Sequence, residues 1–310
     1  MSIIEKAIEK LEKQAQDAVA REAAAKPAPP PPPVAAARVR PVAQIPLAEL
    51  SSRGFVTPDQ PRSQIAEEYR MIKRPLLANI DGETAAQVPN ANLIMVTSAL
   101  EGEGKTFTAI NLAMSLCMEE NRTVLLVDGD VAKASAGVRL GVPEDALGLI
   151  DVLEHDDMRI EDVLLQTSIP NLRIIPVGRM HQRSTELLAS EAMRRIAQEL
   201  SSRYPDRIVV FDSPPLLLTT ESSVLASQMG QVVFVVAAER TAPQAITEAL
   251  GHISEDKIVG MVLNSVRRNP LDKYGYGYGY GYGYGYGYGY GDNTRRTAGH
   301  PAGGAPDAAG

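Results

Sequence analysis

The chain has 310 residues, of which 44% are hydrophobic, so it can bury the core of one large α/β domain or two small ones. Its formal net charge of −7 argues against wholesale nucleic-acid binding, and a single cysteine, Cys117, excludes an internal disulfide and a multi-cysteine zinc site. No apolar run approaches the roughly 20 residues that cross a bilayer and no signal peptide is visible, so the chain is expected to be cytoplasmic.

The first 60 residues are expected to lie outside the main domain. Residues 1–24 favour a helix, with Ile4, Ile8 and Leu11 at helical spacing, and they are interpreted as a docking helix for a partner or as a fraying tail. Residues 25–60 are rich in proline and alanine and are predicted to form an extended linker. The main domain is predicted to span residues 61–268.

A helix is predicted to begin after Ser63. Glu67, Arg70 and Lys73 stand three residues apart on it and therefore share one helix face. This face is either a contact surface or an ordinary solvated helix face.

A glycine-rich turn then separates an apolar run from a helical pattern, in the order strand, phosphate loop, helix. Gly102 and Gly104 allow backbone N–H groups to approach phosphates closely, Lys105 can reach the β- and γ-phosphates, and the hydroxyl of Thr106 can bind Mg²⁺. Ala99 occupies the position of the first glycine in the usual pattern of such loops. The residues expected to contact ATP are Leu100, Glu101, Gly102, Glu103, Gly104, Lys105, Thr106 and Phe107.

Two further apolar runs end in aspartate. Residues 123–128 end in Asp128, with Asp130 two positions later, and residues 207–212 end in Asp212. Aspartates at the carboxyl ends of buried parallel strands lie at the edge of the sheet where ligands bind. Mg²⁺ is therefore expected there, held by Thr106, Asp128 and Asp212.

The pattern of the main domain predicts an α/β fold. Apolar strands alternate with helical segments, which favours a doubly wound, mainly parallel sheet of the P-loop NTPase type. Strands are predicted at residues 93–97, 123–128, 172–177, 207–212, 232–237 and 258–263, and helical segments include residues 184–204 and 243–253.

Residues 269–310 are predicted to form a flexible tail, because tyrosine alternates strictly with glycine in part of it. The nine tyrosines of this repeat are Tyr274, Tyr276, Tyr278, Tyr280, Tyr282, Tyr284, Tyr286, Tyr288 and Tyr290. Fully extended, the repeat from Tyr274 to Tyr290 spans roughly 60 Å, which would bring these phenols to an ATP site. Phosphorylation of all nine would add roughly −14 to −18 charges and would reverse the sign of the tail.

These motifs together resemble the bacterial tyrosine kinase (BY-kinase) family, and most closely its exosortase- and exopolysaccharide-associated autokinases. The resemblance implies ATP-dependent autophosphorylation of the tyrosine repeat, with Lys105, Asp128 and Asp130 as catalytic residues and Asp128 as the favoured base. It implies a contact of Asn264 with adenine, and a ring-like homo-oligomer with Glu67, Arg70 and Lys73 at its interfaces and trans-phosphorylation between copies. It also implies regulation of exopolysaccharide synthesis or export, recruitment to the inner membrane by a polysaccharide copolymerase or chain-length determinant protein, and a tyrosine phosphatase as a further partner.

Two other functions remain open at this point. The first is a ParA/MinD-like partitioning or positioning ATPase; those proteins typically carry a signature lysine where this chain has Leu100. The second is a regulatory subunit that binds ATP without catalysis and whose tail is modified by another kinase.

Overall fold

The computed structural model describes residues 42–84, 87–179, 183–203 and 206–267. Within these residues the strands are β1 (Val42–Ala43), β2 (Leu93–Ser98), β3 (Thr123–Asp128), β4 (Leu165–Thr167), β5 (Leu172–Ile175), β6 (Arg207–Asp212), β7 (Gln231–Ala237) and β8 (Ile258–Asn264). The helices of the same residues are α1 (Leu47–Ser52), α2 (Gln64–Ile80), α3 (Lys105–Leu116), α4 (Ala136–Arg139), α5 (Leu149–Glu154), α6 (Ile160–Val163), α7 (Ser184–Leu188), α8 (Glu191–Ser202), α9 (Glu221–Gln228) and α10 (Pro243–Leu250). These elements belong to the first of two compact units, which ends at Val266.

The strands form one sheet in the order β1-β4-β5-β3-β6-β2-β7-β8. Neighbouring strands run parallel except for the pair β4 and β5, which is antiparallel. Each of the six predicted strands is present, which confirms the predicted doubly wound, mainly parallel α/β fold. The carboxyl ends of β2, β3 and β6 lie side by side, because Val96 pairs with Asp212 and Asp128 pairs with Asp212.

Both faces of the central strands are covered, and alternate side chains of each central strand enter different cores. In β2, Leu93 and Met95 face the core under α5, α8 and α10, whereas Ile94 and Val96 face the core under α2 and α3. Strands buried on both faces read as continuous apolar runs. This is why the central strands were recognisable from the sequence.

The packed fold begins upstream of the predicted boundary at residue 61. Within the segment predicted to be a linker, residues 42–60, β1 pairs with β4, and Leu50, Phe55 and Val56 are buried in the core under α2 and α3. The prediction of an unpacked linker is therefore wrong for this part. A strand of two residues and a helix of six are too short for periodicity to reveal them.

The predicted helix over residues 184–204 is two helices. The first ends at Leu188, and Ser190 caps the second, since its hydroxyl accepts a hydrogen bond from the N–H of Met193 at 3.2 Å. The helix predicted after Ser63 begins at Gln64, and the Ser63 hydroxyl caps it by accepting from the N–H of Ala66.

The docking helix of residues 1–24 and the tyrosine repeat lie outside the described residues. In the part of the chain that is described, no helix combines the length and apolar character needed to cross a bilayer.

Phe55→Ala tests whether the segment before residue 61 is part of the core. The Phe55 ring is 4% exposed and packs on the Phe107 ring with a centroid distance of 4.8 Å. We expect truncation to lower the free energy of unfolding by about 3–5 kcal/mol, measured by urea denaturation. Met71→Ala is the control, because this side chain is 71% exposed and its truncation should change stability by less than about 0.5 kcal/mol. Equal effects of the two substitutions would contradict the packing role.

Candidate active site

The loop between β2 and α3 has the backbone conformation that phosphate binding requires. Gly102 has φ +73° and Gly104 has φ +101°, a region that side chains with a Cβ rarely adopt. At Gly104 a Cβ would also lie 1.9 Å from Nδ2 of Asn264. The two glycines therefore let the backbone take this course immediately before the amino terminus of α3, where N–H groups and the helix dipole favour an anion.

Lys105 and Thr106 occupy the first turn of α3 and line a cavity of about 200 Å³. The side chain of Lys105 is buried, and its Nζ lies 3.7 Å from Oδ2 of Asp130. The residues that line the cavity are Gly102, Gly104, Lys105, Thr106, Phe107, Asp130, Lys133, Ser135 and Arg139. Three basic side chains thus face one space beside a helix amino terminus, as a polyphosphate requires.

Asp128 ends β3 and is 1% exposed. Its Oδ2 accepts hydrogen bonds from the N–H groups of Ala136 at 3.0 Å and Gly137 at 3.2 Å, whereas its Oδ1 is buried and accepts none from the described residues. Burial, together with the nearby charge of Asp130, raises the pKa of Asp128 to about 6. One oxygen of a carboxylate with raised basicity is therefore available to bind a metal or a proton.

Asp130 is committed to its own loop. Its Oδ1 accepts hydrogen bonds from the N–H groups of Ala132 at 3.2 Å and Lys133 at 3.1 Å, while its Oδ2 faces Lys105. Of the two aspartates predicted to be catalytic, Asp128 has the freer carboxylate oxygen.

Asp212 ends β6 beside Asp128 and is fully buried. Neither of its carboxylate oxygens accepts a hydrogen bond from the described residues within normal geometry. Burial, and then the negative charge of Asp128, hold the pKa of Asp212 well above its usual range, while the nearby Thr106 hydroxyl and Lys105 act in the opposite direction. Two buried, uncompensated carboxylates next to each other are costly unless a cation joins them.

The arrangement fits Mg²⁺. In the part of the chain that is described, no cluster of three or more histidine, cysteine, aspartate or glutamate side chains is arranged for a metal. Mg²⁺, however, usually takes one or two carboxylates and completes its shell with water and substrate phosphates. The free oxygens of Asp128 and Asp212 and the hydroxyl of Thr106 supply such a partial set.

The predicted ATP contacts do not all face the phosphate cavity. Leu100 and Glu101 are exposed at the tip of the loop, and Phe107 packs on Phe55 as well as lining the cavity. The side chain of Glu103 is 3% exposed and absent from the cavity wall. Asn264 donates from Nδ2 to the carbonyl oxygen of Glu103 at 2.8 Å, so this donor supports the loop, and its contact with adenine remains a prediction.

The face predicted for oligomer contacts is divided. Glu67 and Arg70 form an ion pair on the surface, and Arg70 donates to the carbonyl oxygen of Pro61 at 3.0 Å. Lys73, in contrast, is buried and binds the carbonyl oxygen of Ser115 and the carboxylate of Glu119, both at 2.6 Å. The placement of Lys73 on a shared surface is therefore wrong, because its buried ammonium joins α2 to Ser115 of α3 and to Glu119 in the same subunit.

Sequence reasoning missed several residues around the site. Arg139 and Ser135 line the phosphate cavity, and Thr241 and Arg240 contact the loop itself. No spacing signal identifies them, because they come from a four-residue helix and from loops. Arg240 and Thr241 reach the loop because they follow β7, which is the neighbour of β2 in the sheet, and the sequence alone does not give this pairing.

Asp128 also lines a second cavity of about 340 Å³ between the ends of β3 and β5. Its wall is mainly apolar and consists of Asp128, Ala134, Gly137, Val138, Val142, Pro143, Glu144, Ala146, Pro176, Val177, Gly178 and Arg179. One of its edges is fixed by Asp151, whose Oδ2 accepts hydrogen bonds from the N–H groups of Gly148 at 2.8 Å and Arg179 at 3.1 Å.

Comparison with known families agrees with this geometry. The model of a family described as an AAA domain matches residues 91–258, which include β2, the phosphate loop and all three aspartates. The chain belongs to this family. Within the AAA-domain family, its similarity is to bacterial tyrosine kinases, which confirms the resemblance inferred from the motifs.

Two relatives and one solved structure illustrate the similarity. Tyrosine-protein kinase YwqD of Bacillus subtilis is 27% identical over 226 residues, which cover 72% of this chain and 90% of YwqD. Tyrosine-protein kinase CpsD of Streptococcus agalactiae is 26% identical over 179 residues, covering 57% of this chain and 76% of CpsD. The crystal structure of the chimerical protein CapA2B2 has 26% identity and a TM-score of 0.60, and the match covers 74% of this chain and 96% of that one.

Asp212→Asn is expected to stabilise the protein in the absence of nucleotide and metal. The ionised Asp212 carboxylate is disfavoured by burial and by Asp128, and a neutral amide of the same shape removes this cost. We expect the melting temperature in EDTA at pH 7.5 to rise by about 2–4 °C for each kcal/mol recovered, measured by calorimetry. Asp145→Asn, which replaces an exposed carboxylate, is the control.

The gain from Asp212→Asn should depend on pH. Because folding raises the pKa of Asp128 to about 6, the folded protein holds this proton more tightly than the unfolded chain does. The resulting stabilisation is complete below about pH 4 and is lost as the pH rises through about 6. Once Asp128 is protonated, it no longer repels the Asp212 carboxylate. The gain in melting temperature from Asp212→Asn should therefore shrink between pH 7.5 and pH 5, and a gain that does not depend on pH would contradict this explanation.

Proposed function

We propose that this chain is an ATP-dependent protein-tyrosine autokinase that phosphorylates the tyrosine repeat from Tyr274 to Tyr290. The observation that carries the proposal is the group of three buried aspartates facing Lys105 and Thr106 at the carboxyl edge of the sheet. The similarity over most of its length to YwqD, a protein named as a tyrosine-protein kinase, selects this activity from among those that the site could support.

The residues of the chain divide the work of phosphoryl transfer between positioning and charge neutralisation. The loop amides around Gly102 and Gly104 hold the phosphates, and Lys105, with Lys133 and Arg139 nearby, offsets their negative charge. Thr106, Asp128 and Asp212 would hold Mg²⁺, which neutralises phosphate charge when bound. Asp128 has one free oxygen, Oδ1, which would serve one of two roles at a time: it would hold Mg²⁺ or, with the raised pKa of Asp128, take the phenol proton as a general base.

We also propose that the ammonium of Lys105 leaves Asp130 and binds phosphate when nucleotide enters the cavity. Lys105 faces Asp130 at 3.7 Å, a distance longer than a hydrogen-bonded ion pair, so the contact is weak enough to be replaced by phosphate. Asp130 thereby keeps the ammonium at the cavity before nucleotide binds.

The assembly and the partners are further parts of the proposal. Glu67 is exposed and Arg70 is half-buried on α2, and both reach the surface, where contacts between copies would present one tyrosine repeat to another site. We propose that the copies form a ring and that an inner-membrane polysaccharide copolymerase recruits this ring. A tyrosine phosphatase would remove the phosphate groups, and the cycle would regulate exopolysaccharide synthesis or export. Phosphorylation would reverse the charge of the tail, which carries five basic and three acidic residues from residue 265 onward, and would loosen the ring.

Lys105→Met tests the activity. Removing the ammonium that faces the phosphates should lower the rate of tyrosine phosphorylation by at least about 100-fold, because charge stabilisation of this kind contributes several kcal/mol to catalysis. The measurement is phosphopeptide mapping of the purified chain after incubation with ATP and Mg²⁺, with and without residues 274–290. Lys257→Met is the matched control, since Lys257 precedes β8 at the end of the strand opposite to the site and pairs with Asp256.

The same experiment separates the alternatives. Phosphotyrosine that persists in Lys105→Met would contradict the proposed catalysis. ATP hydrolysis without phosphotyrosine would indicate a switch of the partitioning type, and nucleotide binding without either product would indicate a regulatory subunit.

A further inference from the structure

A carboxylate lies inside the phosphate loop, outside the wall of the phosphate cavity. Glu103 stands between Gly102 and Gly104, which both line the phosphate cavity, yet its own side chain is 3% exposed and does not line that cavity. A negative charge one residue from a phosphate site would repel the ligand if it were free to turn. The way in which Glu103 is held therefore bears on nucleotide binding.

Three groups hold Glu103. Its Oε1 accepts a hydrogen bond from the hydroxyl of Thr241, and its Oε2 accepts one from the N–H of Leu100 at 2.7 Å. Its carbonyl oxygen accepts from Nδ2 of Asn264 at 2.8 Å. The hydroxyl of Thr241 in turn accepts from the N–H of Ala237 at 3.1 Å, so the chain of bonds ends on β7. We call Glu103, Leu100, Thr241 and Asn264 the Glu103 clamp.

The loop needs such support because its own backbone supplies little. Gly102 and Gly104 both have φ in the left-handed region, and glycine retains more conformational freedom than any other residue. Arg240 adds only a long contact, 3.4 Å from Nη1 to the carbonyl oxygen of Gly102. Hydrogen bonds from a hydroxyl to a buried carboxylate are charge-assisted and are among the stronger ones in proteins.

We infer that Thr241 is a positioning residue for the nucleotide phosphates, acting through Glu103. It holds the carboxylate on the β7 side of the loop, and this has two effects. The amides of the loop stay directed at the phosphate cavity, and the negative charge stays out of it. The inference rests on the proposed function in that the ligand is the phosphate chain of Mg-ATP.

Thr241→Val removes the hydroxyl and keeps the shape of the side chain. We expect the affinity for Mg-ADP, measured by titration calorimetry, to fall about tenfold, and the KM for ATP to rise in parallel while kcat changes less than about twofold. Thr241→Ser retains the hydroxyl and should restore the affinity to within about twofold of the wild type. Thr247→Val is the matched control, because its hydroxyl is exposed and bonds to the carbonyl oxygen of Pro243 within α10.

A double substitution shows whether Thr241 acts through Glu103. In a Glu103→Ala background there is no carboxylate to hold, so Thr241→Val should cost little further affinity there. The loss caused by Thr241→Val alone should also shrink as the salt concentration is raised, since it includes repulsion between charges. Equal losses in both backgrounds would overturn the inference, as would wild-type affinity of a folded Thr241→Val protein.

The affinity for Mg-ADP tests this inference, and the formation of phosphotyrosine tests the proposed function, so the two can fail separately. The wild-type protein could bind Mg-ADP without forming phosphotyrosine, while Thr241→Val weakens this binding and Thr241→Ser restores it. This outcome would contradict the kinase proposal and support the Glu103 clamp. A Thr241→Val protein that binds Mg-ADP as the wild type does would contradict the clamp alone.

Discussion

The site depends on the electrostatic cost of placing Asp128 and Asp212 side by side in the interior of a protein. The parallel sheet brings them together because both end neighbouring central strands, and burial leaves three of their four oxygens without hydrogen bonds from the described chain. A cation between the two carboxylates offsets that cost, and the positive groups at the amino terminus of α3 form a neighbouring site for an anion. The fold therefore builds a site whose stability is completed by its ligand.

Much of this was predictable from the sequence, for a physical reason. β2, β3 and β6 are buried on both faces, so they appear as continuous apolar runs, and a motif placed at the end of such a run has a known position on the sheet. Gly104 and Lys105 could be placed because a phosphate loop constrains residue types at fixed spacing. The chemistry of the site follows from these local rules.

The parts that sequence reasoning missed are held by tertiary contacts. Lys73 has the appearance of a surface residue in a helical pattern, but its ammonium reaches Ser115 and Glu119 inside the subunit, and no periodicity indicates such a partner. Thr241 is a single hydroxyl in a loop more than 130 residues from Glu103. Contacts of this kind depend on which strands are neighbours in the sheet, which the order of the sequence does not specify.

The packing of Phe55 on Phe107 has a mechanical consequence. Phe107 stands one residue after Thr106, and the N–H of Val56 is bonded to Oδ1 of Asn111 at 2.6 Å, so residues 55 and 56 grip the first two turns of α3 from outside the sheet. Tension applied to the chain before Val42 would act first on the pairing of β1 with β4, then on the buried Ile45 and Leu50, and only after these on residues 55 and 56. These earlier attachments therefore shield the helix that presents Lys105 from a pull on the amino-terminal side.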